Sequence, residues 1–163
     1  MMRKLLILLT AVFLLLIDQT ILPFFSVYGS HGSLMFAFFG LFALLTDFED
    51  AVLLGLITGV LQDIFFPYAF GLNTMLNMLL FLGLSRIGLT LKEGRKTIPV
   101  LFVTLAQGIK TLIMIVVLLL FGIRGNYFSV LITPAFTLIM AMFIYRVVIS
   151  FSRIPIIKKE WRF

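Results

Sequence analysis

The chain has 163 residues, of which 62% are hydrophobic and only 12% are charged, with a mean hydropathy of +1.20. Soluble domains are about half apolar and a quarter charged, so this composition excludes an ordinary soluble protein and indicates an integral membrane protein. Because the sequence contains no cysteine, it excludes disulfides, thiolate nucleophiles and cysteine-ligated metals. The net charge of +6 does not indicate nucleic-acid binding, since the basic residues lie beside apolar runs, where they set orientation and contact anionic lipid.

Six apolar segments predict an all-α bundle of six transmembrane helices in a single domain. The first follows Arg3-Lys4, lacks a signal-peptide cleavage pattern, and is kinked or ends near Pro23. The second and third are short for a hydrocarbon core of about 30 Å. They form either two short spans or a re-entrant hairpin that enters and leaves on one side. The predicted helices cover residues 5–25, 33–46, 51–66, 71–86, 98–122 and 128–150.

The basic residues predict the orientation of the bundle. With an even number of spans, ten of the 13 Lys and Arg residues fall on one side, and the opposite side receives only Arg124. The positive-inside rule makes the basic side cytoplasmic, so both termini are expected in the cytoplasm. The ten residues lie at the N-terminus, in the loop at 86–96 and in the tail: Arg3, Lys4, Arg86, Lys92, Arg95, Lys96, Arg153, Lys158, Lys159 and Arg162.

Polar residues within the apolar segments predict a buried polar cluster. A charge near the bilayer centre costs at least about 2.5 kcal/mol, so such groups face the bundle and find partners. One interpretation is a structural ion pair of Lys110 with Asp63 or Asp18. The other is a binding or proton-relay site, because two carboxylates face one cation. A third interpretation is that these residues lie too near the interface to be buried. A rise of about 1.5 Å per residue places five of them in the outer half of the bilayer: Asp18, Asp63, Asn73, Asn77 and Lys110. The predicted intramembrane polar cluster consists of these five residues together with Gln19 and Gln107.

The third segment carries a face of small residues that leads to one of these carboxylates. Gly55, Gly59 and Asp63 recur every four residues, which lets another helix backbone approach closely. This glycine face either binds a partner or packs inside the bundle. His31 is the only histidine, so a histidine-based metal site or catalytic triad is not expected. No catalytic, cofactor-binding or metal-binding residue is predicted.

Short motifs lie along the first four apolar segments. The first span ends in a polar-Thr-x-Leu-Pro pattern, and a short acidic turn follows the second segment. The central motif is Gly55-Leu56, Gly59 and Asp63, then a proline and aromatic turn, then Gly71-Leu72-Asn73. The order of these features resembles the rod-shape-determining protein MreD family. This chain departs from the family pattern after Asp63, where bulky residues 65–68 replace small polar ones.

The resemblance implies a non-enzymatic, multi-pass scaffold of the bacterial cytoplasmic membrane that has no cofactor and binds MreC, a single-span protein of the cell-elongation machinery. Further implied partners are RodA and its transpeptidase, with MreB contacted indirectly. The family is similar in architecture to the six-helix substrate-binding subunits of vitamin transporters. A subunit of an energy-coupling-factor-type vitamin transporter is therefore the main alternative, with the polar cluster as its pocket. An intramembrane enzyme or ion carrier would have to use Asp18, Asp63 and Lys110.

Overall fold

The computed structural model describes residues 2–66, 70–91, 97–123, 125–155 and 157. These residues form six α-helices and one short 3-10 helix, without a strand among them, which confirms the all-α prediction. Most predicted helix bounds differ from the observed ones by a few residues. The helices are α1 (Met2–Thr20), the 3-10 helix (Leu22–Phe25), α2 (Leu34–Ala43), α3 (Phe48–Ile64), α4 (Leu72–Gly88), α5 (Thr97–Leu120) and α6 (Ser129–Ser152).

Helix α1 ends earlier than the predicted range of 5–25. It stops at Thr20, and Pro23 lies in the first turn of the 3-10 helix that follows. Proline has a fixed φ and no backbone N–H, so it suits the first turn of a helix and not its interior. The first helix therefore ends before the proline and the chain turns there.

Helix α2 is the centre of the bundle. Residues 35–43 are all buried, and each of the other five α-helices contacts α2. A helix that is apolar on every side is typical of a protein core. Its ten residues extend about 15 Å, half of a hydrocarbon core of about 30 Å. Helix α2 is therefore a core element that neither faces lipid nor crosses a bilayer alone.

Helices α3 and α4 form the closest helix pair. A Cβ atom at Gly55 would lie 2.5 Å from Met78 Cα, and one at Gly59 would lie 2.2 Å from Thr74 Cα. Only glycine fits at such distances, so the two backbones touch over the last half of α3. The glycine face predicted from the sequence is thus covered by α4, inside the bundle.

The bundle has two distinct ends. At the Asp63 end, defined by Asp18, Ser33 and Asp63, α1 and α3 finish while α2 and α4 begin. Ser129, the first residue of α6, lies at the same end, because its Oγ is 2.7 Å from Ser30 Oγ. At the opposite Arg3 end, Arg3 binds Asp50 near the starts of α1 and α3.

Helix α6 ends at the Arg3 end of the bundle. The Phe151 ring packs edge-on against the Phe42 ring, and Phe42 lies near the end of α2. Helix α1 begins at this same end. The first and last α-helices thus place the two ends of the described chain on one side of the bundle.

The outer surface is strongly apolar. Two helices, α5 and α6, are long and apolar enough to cross a membrane by length and composition. Large side chains on their outward faces are exposed, including Leu105, Leu131 and Phe143 at 61%, 77% and 80%. Contiguous exposed apolar surface on this scale is typical of a lipid or protein contact, which agrees with a membrane protein.

Candidate functional site

Asp18, on α1, supports the start of α2. Its Oδ1 accepts a hydrogen bond from the Leu34 N–H (2.7 Å), and its Oδ2 accepts from the Met35 N–H (3.1 Å) and the Ser33 hydroxyl (2.7 Å). The first N–H groups of a helix have no partner within the helix and carry a partial positive charge. Since α2 is buried, water does not reach these groups freely, and the Asp18 carboxylate satisfies them.

Asp63, at the end of α3, does the same for α4. Its Oδ1 accepts from the Asn73 N–H (2.9 Å), and its Oδ2 accepts from the Thr74 N–H (3.0 Å) and the Thr74 hydroxyl (2.6 Å). Gly71 precedes α4 with a φ of +95°, a conformation that glycine adopts without strain. Asp63 and Gly71 together fix where α4 begins.

Lys110 does not form the predicted ion pair with Asp63 or Asp18. Its ammonium donates to Gln62 Oε1 at 2.6 Å and lies 5.1 Å from the centre of the Phe36 ring. The two carboxylates already bind helix N-termini, which explains why neither of them reaches the lysine.

Gln62 links the two parts of the cluster. Its Oε1 accepts from Lys110 and from Asn77 Nδ2 (3.0 Å), and its Nε2 donates to Ser33 Oγ (3.3 Å). Ser33 in turn donates to Asp18, so hydrogen bonds run continuously from Asp18 to Lys110. Asn77 Nδ2 also donates to Thr58 Oγ1 at 3.1 Å. This polar network joins α1, α3, α4, α5 and the start of α2.

Three residues of the network lie outside the predicted cluster: Ser33, Thr58 and Gln62. Thr58 and Gln62 follow Gly55 by three and seven residues, so the helical period places all three on one face of α3. Ser33 directly precedes an apolar run, and serine in that position is a common helix N-cap. Its Oγ accepts from the Phe36 N–H at 3.1 Å, as an N-cap does. The sequence thus contains a signal for Thr58 and Gln62, the helical period of α3, and another for Ser33, its position before an apolar run.

The other residues of the predicted cluster, Asn73, Gln107 and Gln19, differ in burial and in hydrogen bonding. Asn73 is buried and contributes its backbone N–H to Asp63. Gln107 is 5% exposed, and its Oε1 has no partner in the described part of the protein. Gln19 is exposed on α1, so its predicted place in the cluster is wrong. The physical reason is that adjacent residues of a helix point about 100° apart, and Asp18 occupies the inward position.

Most of the predicted basic surface lies outside the described residues, including Lys92, Arg95, Lys96, Lys158 and Lys159. Arg86 is exposed near the end of α4, with its guanidinium 5.6 Å from the centre of the Phe48 ring. The ion pair that the described residues do form is Arg3–Asp50, at 2.7 Å. Among these residues, no three acidic, histidine or cysteine side chains are grouped to hold a metal.

Comparisons with known proteins leave the chain without an assigned family. No family model matches the sequence, and no curated protein or solved structure matches it significantly.

Proposed function

We propose that this chain is a non-enzymatic scaffold of the bacterial cell-elongation machinery, of the MreD type. In this proposal it is a multi-pass protein of the cytoplasmic membrane that binds MreC. The observation that carries the proposal is that the residues of the central motif form one structural unit. They are the residues through which α3 packs against α4 and caps its start.

Each motif residue in the α3–α4 unit has a structural role. Gly55 and Gly59 permit contact between the two backbones, and Asp63 binds the first N–H groups of α4. Gly71 supplies the left-handed residue before α4, and Asn73 provides one of the N–H groups. A motif used for packing and capping is expected in a protein whose task is to hold a defined helical surface for a partner.

The apolar surface supports recognition through helix faces. Apart from short turns, the described chain is almost entirely helical, so little of it extends beyond the bundle. Helix α1 presents Leu9, Phe13 and Leu16, which are 57%, 63% and 55% exposed. A single-span partner such as MreC meets this kind of protein by packing its helix against such a face. RodA and its transpeptidase are proposed to join through MreC.

The proposed orientation places the Arg3 end in the cytoplasm. Arg3, Lys4, Arg86 and Arg153 lie near the helix ends found there, and the basic residues of the loop and tail follow them in sequence. Basic residues are favoured on the cytoplasmic side and are attracted to anionic lipid headgroups. The same end is where an indirect link to cytoplasmic MreB filaments would be made.

Co-purification from the membranes of a rod-shaped bacterial host tests the proposal. The tagged chain is isolated in mild detergent, and the bound proteins and small molecules are identified by mass spectrometry. The matched control is an unrelated six-helix membrane protein with the same tag at equal expression. We expect MreC and cell-wall synthases with the chain and not with the control. Equal recovery of MreC in both samples, or none in either, would contradict the scaffold.

A vitamin-transporter subunit is the second candidate, and one observation favours it. The Lys110 ammonium makes one hydrogen bond within the described residues, which leaves two N–H groups for a ligand. This candidate predicts that an energy-coupling ATPase module and a bound vitamin are recovered in the same experiment. A Lys110→Met variant would then lose the vitamin, whereas Gln19→Leu, at an exposed glutamine, would retain it.

A further inference from the structure

We propose that α4 and α5 hold a small neutral guest beside Lys110, bound by Asn77 Oδ1, Gln107 Oε1 and the Lys110 ammonium. The guest carries two polar hydrogens and a lone pair; water is the simplest molecule of this kind. The inference rests on the polar network and is independent of the scaffold function.

Two buried carbonyl oxygens carry the inference. Asn77 is completely buried and Gln107 is 5% exposed, and neither Asn77 Oδ1 nor Gln107 Oε1 has a hydrogen-bond partner among the described residues. Buried side-chain oxygens are nearly always paired, because leaving one unpaired costs most of its lost hydration. Two such oxygens on two helices in contact therefore point to a bound donor.

The orientation of the Asn77 amide is determined from one side by Lys110. An ammonium can only donate, so the group of Gln62 that faces it must be Oε1. The same oxygen faces the Asn77 amide, so Asn77 must present Nδ2 to it. Asn77 Oδ1 consequently points away from Gln62 and is the atom left without a partner.

The orientation of the Gln62 amide is also determined by Asp18, at the other end of the network. An ionised carboxylate can only accept, so the Ser33 hydroxyl donates to Asp18. Ser33 Oγ then has only lone pairs for Gln62, and Gln62 must present Nε2 to it. Both ends of the network thus require the same Gln62 amide orientation. Rotating the Asn77 amide would break the two hydrogen bonds that its Nδ2 donates, to Gln62 Oε1 and to Thr58 Oγ1.

The three side chains come from two facing helices, Asn77 from α4 and Gln107 and Lys110 from α5. Lys110 Nζ and Asn77 Nδ2 both contact Gln62 Oε1, at 2.6 Å and 3.0 Å, so the ammonium and the Asn77 amide are neighbours. Gln107 precedes Lys110 by three residues on α5, which places both side chains on the same face. Helices α4 and α5 are in contact.

The charges and donors select a neutral guest. Lys110 repels a cation, and an anion such as a carboxylate has no hydrogen to donate to the two carbonyl oxygens. One hydrogen of the guest binds each carbonyl oxygen, and a lone pair accepts from the ammonium. Water meets these requirements. The primary amide or neighbouring hydroxyls of a small uncharged metabolite also meet them.

Structure determination combined with native mass spectrometry tests the proposal on the full-length chain in lipid nanodiscs. The structure must be at a resolution that shows ordered water. We expect density within hydrogen-bonding distance of both oxygens and of Lys110 Nζ. An unchanged protein mass would identify water, and an added mass would identify an organic guest. If both oxygens instead accept from protein donors and no density lies between them, the proposal is overturned.

Two glutamine variants provide the matched comparison. Gln107→Leu removes one of the two acceptors, and Gln19→Leu alters a glutamine that is exposed on α1, outside the proposed site. We expect the density, and any added mass, to be lost in Gln107→Leu and retained in Gln19→Leu. Density that is unchanged in Gln107→Leu would contradict the role of Gln107. The wild-type structure alone decides whether a guest is present, even if the first variant fails to fold.

Discussion

The α3–α4 pair and the α5–α6 pair are built by different means. In α3–α4, helices of 17 residues touch backbone to backbone at Gly55 and Gly59, and Asp63 fixes where α4 begins. In α5–α6, helices of 24 residues meet through side chains. At Gly108, for example, the nearest atoms of α6 belong to the Pro134 ring. The first pair is specified by a few small and polar residues, and the second by length and hydrophobicity. Single substitutions should therefore damage the first pair far more than the second.

The largest effect is expected from Gly59→Leu. Its Cβ atom would lie 2.2 Å from Thr74 Cα, so α3 and α4 would have to separate. We expect the free energy of unfolding to fall by about 3 kcal/mol or more, which would be measured as a lower thermal midpoint in detergent. The matched control is Gly83→Leu on α4, where a Cβ meets nothing within 4 Å. A similar loss in both variants would contradict close backbone packing as the cause.

The next largest effect is expected from Asp63→Ala. The variant leaves the Asn73 and Thr74 N–H groups without their acceptor, at a cost of about 1–3 kcal/mol for each buried group left unpaired. Asp63→Asn keeps one acceptor oxygen, so its thermal midpoint should fall between those of Asp63→Ala and the parent. Equal midpoints for Asp63→Ala and the parent would show that α4 does not need this cap.

A comparison of Asp18→Ala with Lys110→Met separates capping from ion pairing. An ion pair would make Lys110→Met the more damaging change, but the observed contacts reverse the expected order. Asp18 accepts three hydrogen bonds at the start of α2, whereas Lys110 donates one, and Gln62 Oε1 keeps its bond to Asn77 without it. We expect Asp18→Ala to lower the thermal midpoint clearly and Lys110→Met to lower the free energy of unfolding by only about 1 kcal/mol, the net value of one hydrogen bond. The opposite order would restore the ion-pair interpretation.

The smallest effect is expected from Gly108→Ala in the α5–α6 pair. The added Cβ would lie 3.5 Å from Pro134 Cγ, an ordinary van der Waals contact. Alanine also favours the helix over glycine by about 1 kcal/mol. The thermal midpoint should stay constant or rise slightly. A decrease as large as that of Gly59→Leu would remove the distinction between the two helix pairs.

Much of the fold could be predicted from the sequence because the apolar segments are clearly separated from one another. The burial of Asp18, Asp63 and Lys110 could also be predicted, since charged side chains in apolar segments turn inward. The close packing at Gly55 and Gly59 was one of two open alternatives. The sequence alone could not distinguish a partner helix from a neighbouring helix of the same chain.

The partners of the buried charges could not be predicted. Charge alone favours pairing Lys110 with a carboxylate, but Asp18 and Asp63 bind backbone N–H groups whose positions depend on how the helices meet. The position of α2 at the centre of the bundle could not be predicted either, because a helix that faces lipid and one that lies in a core are both apolar. Gln62 carries no charge, and only its neighbours in space show that it connects the network.

Cysteine labelling tests the membrane arrangement most directly, and the chain has no cysteine of its own. Ser26→Cys and Thr90→Cys each add one thiol at an exposed position, Ser26 after the 3-10 helix at the Asp63 end and Thr90 after α4 at the Arg3 end. In intact spheroplasts, a membrane-impermeant maleimide should label Ser26→Cys and should label Thr90→Cys only after permeabilisation. Equal labelling of both variants before permeabilisation would contradict a bundle that crosses the membrane with its Arg3 end in the cytoplasm.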